Sequence, residues 1–427
     1  MISKERLKEI VLEQREEMNE IFKIEKIIFR EPLKEVEELL RFPNIVAILG
    51  VRRCGKSIFS YQVFKDKKFG YINFDDERLI EIKPEDLNKI LEVFYELYGT
   101  NLECVIMDEP QNLYGWELFV SRLRRTKKVI VTGSNSKLLS GELATHLTGR
   151  HINFELFPFS FREYITYKGI GSWGTTKEKG EIFKMLRDYL ENGGFPEAIK
   201  MGKRILREIY TDILTKDVVK RGKLKKETEI IKIANFLVSN FSKEFTFRSL
   251  SSVARIKHLS TISKWIRLLE EAYLIIVLER FSFKLKEPVY APKKVYCVDN
   301  GIITTIGYRV SENWGRLMEN LVAIELFRRK SYRFNDQEIY YWKNHTGEEV
   351  DFVIKEGEKI RVLIQVTFAS IKEEVDKREI KALLRAGDIL RCNNLLIITW
   401  DYEGEEKINK KTIKFIPLFK WLLEDYE

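Results

Sequence analysis

The chain has 427 residues, 44% of them hydrophobic and 33% charged, with a formal net charge of +9. That length exceeds what one hydrophobic core serves, so two to four folded units are expected. No apolar run approaches the roughly 20 residues of a membrane helix, and Met1-Ile2-Ser3-Lys4-Glu5-Arg6 leads into a charged amphipathic segment, not a signal-peptide core, so a soluble, cytoplasmic protein with no membrane partner is expected.

Residues 5 to 40 read as helices around a short extended segment, Ile27-Ile28-Phe29-Arg30. From Asn44 the pattern becomes a buried strand (Ile45 to Leu49), a glycine-rich turn and a helix from Lys56 to about Phe64. Apolar runs at Phe69–Phe74, Glu103–Met107 and Lys128–Thr132, separated by helical stretches, indicate an α/β unit with a parallel sheet covered on both faces.

After Phe157-Pro158-Phe159 the chain turns helical to about Ile199, broken at Gly169 to Gly174 and at Gly193-Gly194-Phe195-Pro196. A further unit begins near Leu206. Helices at Ser249–Ile256 and Leu259–Glu271, followed by the strand-like Tyr273 to Leu278, have the order of a winged helix-turn-helix. From about Lys294 the order is helix (Trp314 to Arg329), three strands (Ile339 to Trp342, Val350 to Ile354, Val362 to Phe368), helix (Glu373 to Arg385) and strand (Leu395 to Thr399). The expected segments are thus 1–165, 166–205, 206–285 and 286–427.

The segment Gly50-Val51-Arg52-Arg53-Cys54-Gly55-Lys56-Ser57 has the G-x-x-x-x-G-K-S form of a phosphate loop between a strand and a helix. Its glycines let backbone N–H groups face phosphates, the helix N-terminus adds partial positive charge, Lys56 reaches the β/γ-phosphates and Ser57 ligates Mg²⁺. The expected nucleotide-contacting set is Gly50, Arg52, Arg53, Cys54, Gly55, Lys56, Ser57 and Ile58, although at least one of Arg52 and Arg53 is read as a solvated loop residue. The second motif, Val105-Ile106-Met107-Asp108-Glu109, is an apolar strand ending in two acids. Asp108 is expected on hydrated Mg²⁺ and Glu109 as the base that polarises the attacking water, against the alternative of a surface acidic pair. The four cysteines, Cys54, Cys104, Cys297 and Cys392, form no C-x-x-C pair, and His146, His151, His258 and His345 are scattered. Metal chemistry therefore falls to oxygen ligands, which suits Mg²⁺.

G-x-R-R-x-G-K-S, D-E-x-Q (Asp108 to Gln111), T-G-S-N-S (Thr132 to Ser136), L-T-G-R (Leu147 to Arg150) and F-P-F-S-F-R-E-Y (Phe157 to Tyr164) together resemble the archaeal branch of AAA-type ATPases, over essentially the whole chain. The resemblance implies ATP/ADP and Mg²⁺ as cofactors and a γ-phosphate sensor at Ser134 and Asn135. It also implies a helical lid whose Pro196, in the G-x-P-like Gly194-Phe195-Pro196, packs near the base. Arg150 is read either as an arginine finger, in cis or from a neighbouring subunit of a homo-oligomer, or as a structural ion pair.

On the helix Leu259–Glu271 the apolar stripe leaves Ser260, Ser263, Lys264 and Arg267 on the opposite face, residue types that contact phosphates and base edges. The cluster Lys216, Lys220, Arg221, Lys223, Lys225 and Lys226, with Asp217 as the only acid, favours duplex or branched DNA over protein docking. The resemblance gives the last segment a restriction-endonuclease-like fold, in which two carboxylates hold Mg²⁺ and a lysine supports the nucleophile. Glu319 and Asp351 match the first two acidic positions, but Gln365 stands where the next acid belongs and Thr367 where the lysine belongs, so a degenerate site is expected. The functional reading is an ATP-hydrolysing, DNA-associated protein of remodelling, repair or mobile-element and defence type. A nucleotide-dependent signalling switch and an ATP-dependent nuclease are the alternatives.

Overall fold

The computed structural model describes residues 2–136, 149–170, 174–283, 291–308, 313–408 and 411–424. Two compact units account for it: residues 1–157 with 271–273, and residues 158–270 with 274–427. Three of the four segments expected from sequence therefore lie, almost whole, within the second unit.

The first unit opens with α1 (Lys4–Ile24), capped by the Ser3 hydroxyl, and α2 (Leu33–Leu39). Then come β1 (Ile45–Leu49), α3 (Lys56–Val63), β2 (Phe69–Asn73), α4 (Leu87–Tyr98), β3 (Cys104–Asp108), α5 (Trp116–Leu123), β4 (Lys128–Gly133) and β5 (His151–Glu155). The strands form one parallel sheet in the order β2-β3-β4-β1-β5. Fully buried apolar runs such as Ile45-Val46-Ala47-Ile48-Leu49 are what a sheet covered on both faces demands. Leu7, Ile10 and Val11 of α1 and Ile90, Val93 and Phe94 of α4 close over the core. Strand β5 was not foreseen; its Ile152 and Asn153 are not buried, as befits an edge strand without a continuous apolar run.

The second unit contains α6 (Phe161–Lys168), α7 (Thr176–Asn192), α8 (Pro196–Met201) and α9 (Ile205–Asp212), which continues with wider π winding through Ile213–Lys220. Next are α10 (Glu227–Ser239), β6 (Lys243–Phe245), α11 (Phe247–Ala254), α12 (Leu259–Glu271), β7 (Ile275–Leu278) and β8 (Lys293–Cys297), the strands forming an antiparallel sheet in the order β6-β8-β7. The chain then runs through α13 (Asn300–Ile306), α14 (Trp314–Tyr332), β9 (Gln337–Lys343), β10 (Glu349–Glu356), β11 (Lys359–Val366), α15 (Lys377–Ile389), β12 (Leu395–Thr399), β13 (Gly404–Ile408), β14 (Lys411–Pro417) and α16 (Leu418–Leu423). A six-stranded sheet, β13-β14-β12-β11-β10-β9, is parallel only across β11-β12 and β12-β14. The helix-strand-strand-strand-helix-strand order read from sequence is present. It is extended by β13, β14 and α16, and the second helix begins at Lys377 because Lys372–Glu374 forms only a 3₁₀ turn.

The motif Phe157 to Tyr164 has a local reason: Ser160 Oγ accepts from Glu163 N at 3.0 Å and Glu163 Oε2 accepts from Ser160 N at 2.9 Å, a capping box that starts α6. Gly193-Gly194 likewise answers to its neighbours. Asp299 Oδ2 accepts from Gly194 N at 2.6 Å, and a Cβ on Gly193, whose φ is +73°, would lie 1.9 Å from Asp299 Oδ1. No helix among the described residues is long and apolar enough to cross a membrane.

Candidate functional site

At the carboxyl edge of the parallel sheet, β1 runs directly into the loop Gly50–Gly55. Leu49 pairs with Gly133, and Asn73 with Asp108, so the ends of β1, β2, β3 and β4 lie along one edge. A side chain on Gly50 would put its Cβ 2.2 Å from the Leu156 carbonyl oxygen, and Gly55 adopts φ +97°, so both positions require glycine. Lys56 opens α3 with its side chain buried; Nζ donates to the carbonyls of Gly50 and Val51, both at 3.1 Å, folding the ammonium back over its own loop. The amide N–H groups of Gly55, Lys56, Ser57 and Ile58 have no backbone carbonyl acceptor among the described residues. A helix N-terminus with open amides beside a buried ammonium is built to receive an anion.

Arg30, buried in the extended segment before α2, fixes the back of this loop: Nη1 donates to Cys54 O at 3.1 Å and Nη2 to Phe157 O at 2.7 Å. Burial pushes the Cys54 thiol up, against Lys56 and Arg30. Its Sγ lies 3.3 Å from Leu156 O, so Cys54 packs the loop from below. Arg52 reaches Asp75 at 3.9 Å, and Arg53 takes the left-handed backbone, φ +63°.

Asp108 ends β3 buried, with Oδ1 accepting from the Thr132 hydroxyl and Oδ2 from the Tyr71 phenol at 2.9 Å. Burial first, then the Asp108 charge, raises Tyr71 well above its ordinary value, so the phenol stays a donor. Glu109 is half-buried at φ +49°; its N–H donates to Thr132 Oγ1 at 3.2 Å and its carboxylate accepts from Gln111 Nε2. Such a backbone costs about 1–3 kcal/mol in a non-glycine residue and persists only where its surroundings hold it. Ser134 and Asn135, immediately after β4, are both buried. Asp108 offers carboxylate oxygens and Ser57 is accessible at the loop mouth, so the donor set is all oxygen and fits a hard cation such as Mg²⁺.

Over residues 43–165 the sequence matches the AAA domain family, and residues 183–312 and 314–421 match two families described as domains of unknown function. The uncharacterized protein MJ1544 of Methanocaldococcus jannaschii is 36% identical over 411 residues, covering 90% of each chain. The chain belongs to the archaeal AAA-type ATPase family. A further uncharacterized relative, from Haemophilus influenzae, is 28% identical over 414 residues, covering 91% of this chain and 97% of its own. Among solved structures, the Walker-type ATPase paby2304 of Pyrococcus abyssi aligns over 65% of this chain and 96% of its own at 16% identity, with a TM-score of 0.43. Membership implies nucleotide binding, and the P-loop unit is the part of this family member that carries it.

Not every expected residue joins that edge. Arg150 is exposed and directly precedes β5, whose His151 pairs with Ile45 while Glu155 pairs with Leu49. At about 3.3 Å per residue, five residues of strand put the Arg150 backbone roughly 15 Å from the phosphate-loop end, at the opposite edge of the sheet. Its Nη1 donates to Ser121 Oγ at 3.3 Å. Leu147 and Thr148 of the same motif lie outside the described residues. Pro196 belongs to the second unit, as the first residue of α8.

In the second unit, Ser260, Ser263, Lys264 and Arg267 are all exposed on α12, while Ile262, Trp265, Ile266 and Leu269 are buried, as the helical stripe required. Lys216, Lys220, Lys223, Lys225 and Lys226 are exposed. Two of the cluster have acidic partners one turn earlier: Lys216 Nζ lies 3.0 Å from Asp212, and Arg221, which is only half-exposed, has its Nη1 3.4 Å from the buried Asp217.

Glu319 of α14 and Asp351 of β10 do come together, but a lysine that the sequence reading overlooked stands between them. Lys294 of β8 is buried, and its Nζ lies 2.9 Å from Glu319 Oε1, 3.1 Å from Asp351 Oδ1 and 2.6 Å from Glu349 Oε1. Burial alone would lower Lys294; Glu319, Tyr296, Asp351 and Glu349 raise it well above its usual value. Burial, with the Asp351 charge, pushes Glu319 up to about 7. The amide of Gln365 faces Asp351, its Oε1 accepting from Asp351 N at 3.4 Å, and burial first, then the Asp351 charge, raises Glu379 to about 7. A period-two reading of Lys294-Val295-Tyr296 would have placed Lys294 and Tyr296 on one face of a strand.

Proposed function

We propose that the protein binds ATP with Mg²⁺, hydrolyses it, and couples that cycle to DNA. The carrying observation is the loop Gly50–Gly55 with its open amides, the buried Lys56 ammonium, and Asp108 and Glu109 at the neighbouring strand end. In this reading the amides of Gly55 to Ile58 and Lys56 hold the β- and γ-phosphates, and Ser57 and Asp108 hold Mg²⁺, which neutralises phosphate charge. Glu109 takes a proton from the attacking water, and Asn135 orients the γ-phosphate.

The DNA part of the proposal rests on the exposed faces of α12 and the π-wound segment. The helix–strand–helix–helix–strand–strand order of residues 227–297 supports reading that segment as a winged helix, and α14 with β9–β12 supports a restriction-endonuclease-like fold. Turnover measured with and without single-stranded, duplex and branched DNA tests the coupling: stimulation supports it, while turnover indifferent to all three leaves a nucleotide switch with a protein-docking helix. Duplex affinity should fall steeply with salt, each phosphate contact adding about 0.9 to the logarithmic slope. Lys264→Glu with Arg267→Glu should lower affinity at least about tenfold and flatten that slope. Unchanged gel-shift affinity in the double variant would reassign α12 to protein docking.

Arg150 enters this reading only from a neighbouring copy, because an exposed guanidinium at the far end of the sheet can meet a phosphate held by another subunit. Turnover per subunit should then rise with protein concentration and drop by about 10³-fold in Arg150→Ala, with ATP binding retained. Concentration-independent turnover that survives the substitution would leave Arg150 a structural residue on Ser121.

A further inference from the structure

Around Lys294 the second unit assembles an arrangement that neither nucleotide nor DNA binding explains. A lysine ammonium has three protons to donate, and here three carboxylates take one each: Glu319 at 2.9 Å, Glu349 at 2.6 Å and Asp351 at 3.1 Å. The carboxylates are held in turn from behind. Tyr296 donates to Glu319 Oε1 at 2.8 Å, Val366 N to Asp351 Oδ2 at 3.0 Å, and Lys343 Nζ to Glu349 Oε2 at 2.9 Å. Lys343 also reaches Glu244 of β6 at 2.7 Å, and the Lys294 ammonium lies 5.7 Å from the ring centroid of Tyr341.

Three acids facing one point, Asp351 buried and Glu319 and Glu349 partly so, repel one another unless a cation sits among them. In a metal centre that cation is a divalent ion with oxygens at about 2.0–2.6 Å. Here the oxygens stand back at hydrogen-bond distance, and no three acids, histidines or cysteines among the described residues are spaced to chelate an ion by themselves. We propose that Glu319, Glu349 and Asp351 form a cation site whose permanent occupant is the Lys294 ammonium, standing where a divalent ion would stand. The site is loaded without metal, and it fastens β8 to α14 and β10, so that the three-stranded and six-stranded sheets are joined through an alternating run of charges, Glu244, Lys343, Glu349, Lys294, and Glu319 with Asp351.

The sequence positions explain why such a clamp costs little to maintain. Lys294 is supplied by a strand that must pair with β6 and β7 in any case, and Tyr296 follows on the same face to hold Glu319. Removing the ammonium leaves Glu319 and Asp351 without a cation and Glu349 with Lys343 alone, so the cluster must take up protons or capture an ion from solution.

The test compares full-length protein with Lys294 and with Lys294→Ala, which leaves room for an ion and its waters, both carrying Lys56→Ala and Asp108→Asn to silence the phosphate-loop site. Mn²⁺ is the probe, its bound fraction read by electron paramagnetic resonance. The protein with Lys294 is expected to hold no Mn²⁺ at the cluster. Lys294→Ala should bind one equivalent at least tenfold more tightly, and adding Asp351→Asn should abolish that binding. If Lys294→Ala does not fold alone, refolding with Mn²⁺ should restore the near-ultraviolet circular dichroism of the parent. Equal Mn²⁺ binding with and without Lys294, a folded Lys294→Ala that binds none, or an unfolded one that Mn²⁺ does not rescue would overturn the proposal.

Discussion

Lys56→Ala is expected to remove ATP binding, and Glu109→Gln to keep binding while losing turnover by about 10²–10⁴-fold. The two side chains stand at opposite ends of the same task. Lys56 is a buried ammonium at the start of α3, satisfied by the carbonyls of Gly50 and Val51 at 3.1 Å, and a γ-phosphate is the stronger partner for it than either neutral oxygen. Its loss removes a contact made in the ground state and the transition state alike, so it is felt in affinity. Glu109 is different, because its strained backbone and the Gln111 amide aim a carboxylate that is not needed to hold nucleotide. In the proposed mechanism, neutralising it removes the proton acceptor and little else. A nucleotide-binding titration beside a phosphate-release assay separates the two, and wild-type turnover in Glu109→Gln would falsify the role of that carboxylate.

What could be read from the sequence was whatever is decided locally. The strand Ile45–Leu49 and the helix starting at Lys56 fall where their hydrophobic pattern and glycines put them, because a phosphate loop is specified within eight residues. Helix α12 spans Leu259–Glu271 as read, since one apolar stripe suffices to define it. Strands β5 and β13 were missed for one reason: His151 to Glu155 and Gly404 to Ile408 lie at sheet edges and are half exposed, so their burial is supplied by a neighbour and leaves no apolar run.

The larger omissions are tertiary. The resemblance ties Gly194-Phe195-Pro196 to the nucleotide base; the contacts that require glycine are Asp299 for Gly193, more than a hundred residues later, and the Phe159 carbonyl for Gly194. Nothing within either segment announces the other. Arg150 was left between cis, trans and structural roles because only strand register says which end of the sheet it occupies. Lys294 was passed over because its partners are 25, 55 and 57 residues away, on two other elements.

The purified protein, supplied with Mg²⁺ or Mn²⁺, is expected not to cleave DNA at a rate that depends on Asp351. Gln365 and Thr367 offer an amide where a carboxylate is needed and a hydroxyl where a cation is needed. Asp351 has Oδ1 committed to Lys294 at 3.1 Å and Oδ2 to the Val366 amide at 3.0 Å, so both oxygens are engaged before any ion arrives. The lysines nearest in sequence that could substitute are engaged or remote: Lys343 pairs with Glu244 and Glu349, Lys372 with Glu406, and Lys377 opens α15 on the surface. A divalent ion would have to displace a buried ammonium from three acids, and the attacking water would still lack its supporting cation. Losing both a metal ligand and that cation costs several kcal/mol of transition-state stabilisation, about a tenfold rate loss for each 1.4 kcal/mol, which suppresses cutting by several orders of magnitude. Wild type assayed beside Asp351→Ala, on supercoiled and on branched DNA, decides the matter. Metal-dependent cutting present in wild type and absent only from Asp351→Ala would make the cluster a working nuclease centre and Lys294 its catalytic lysine, not its resident cation.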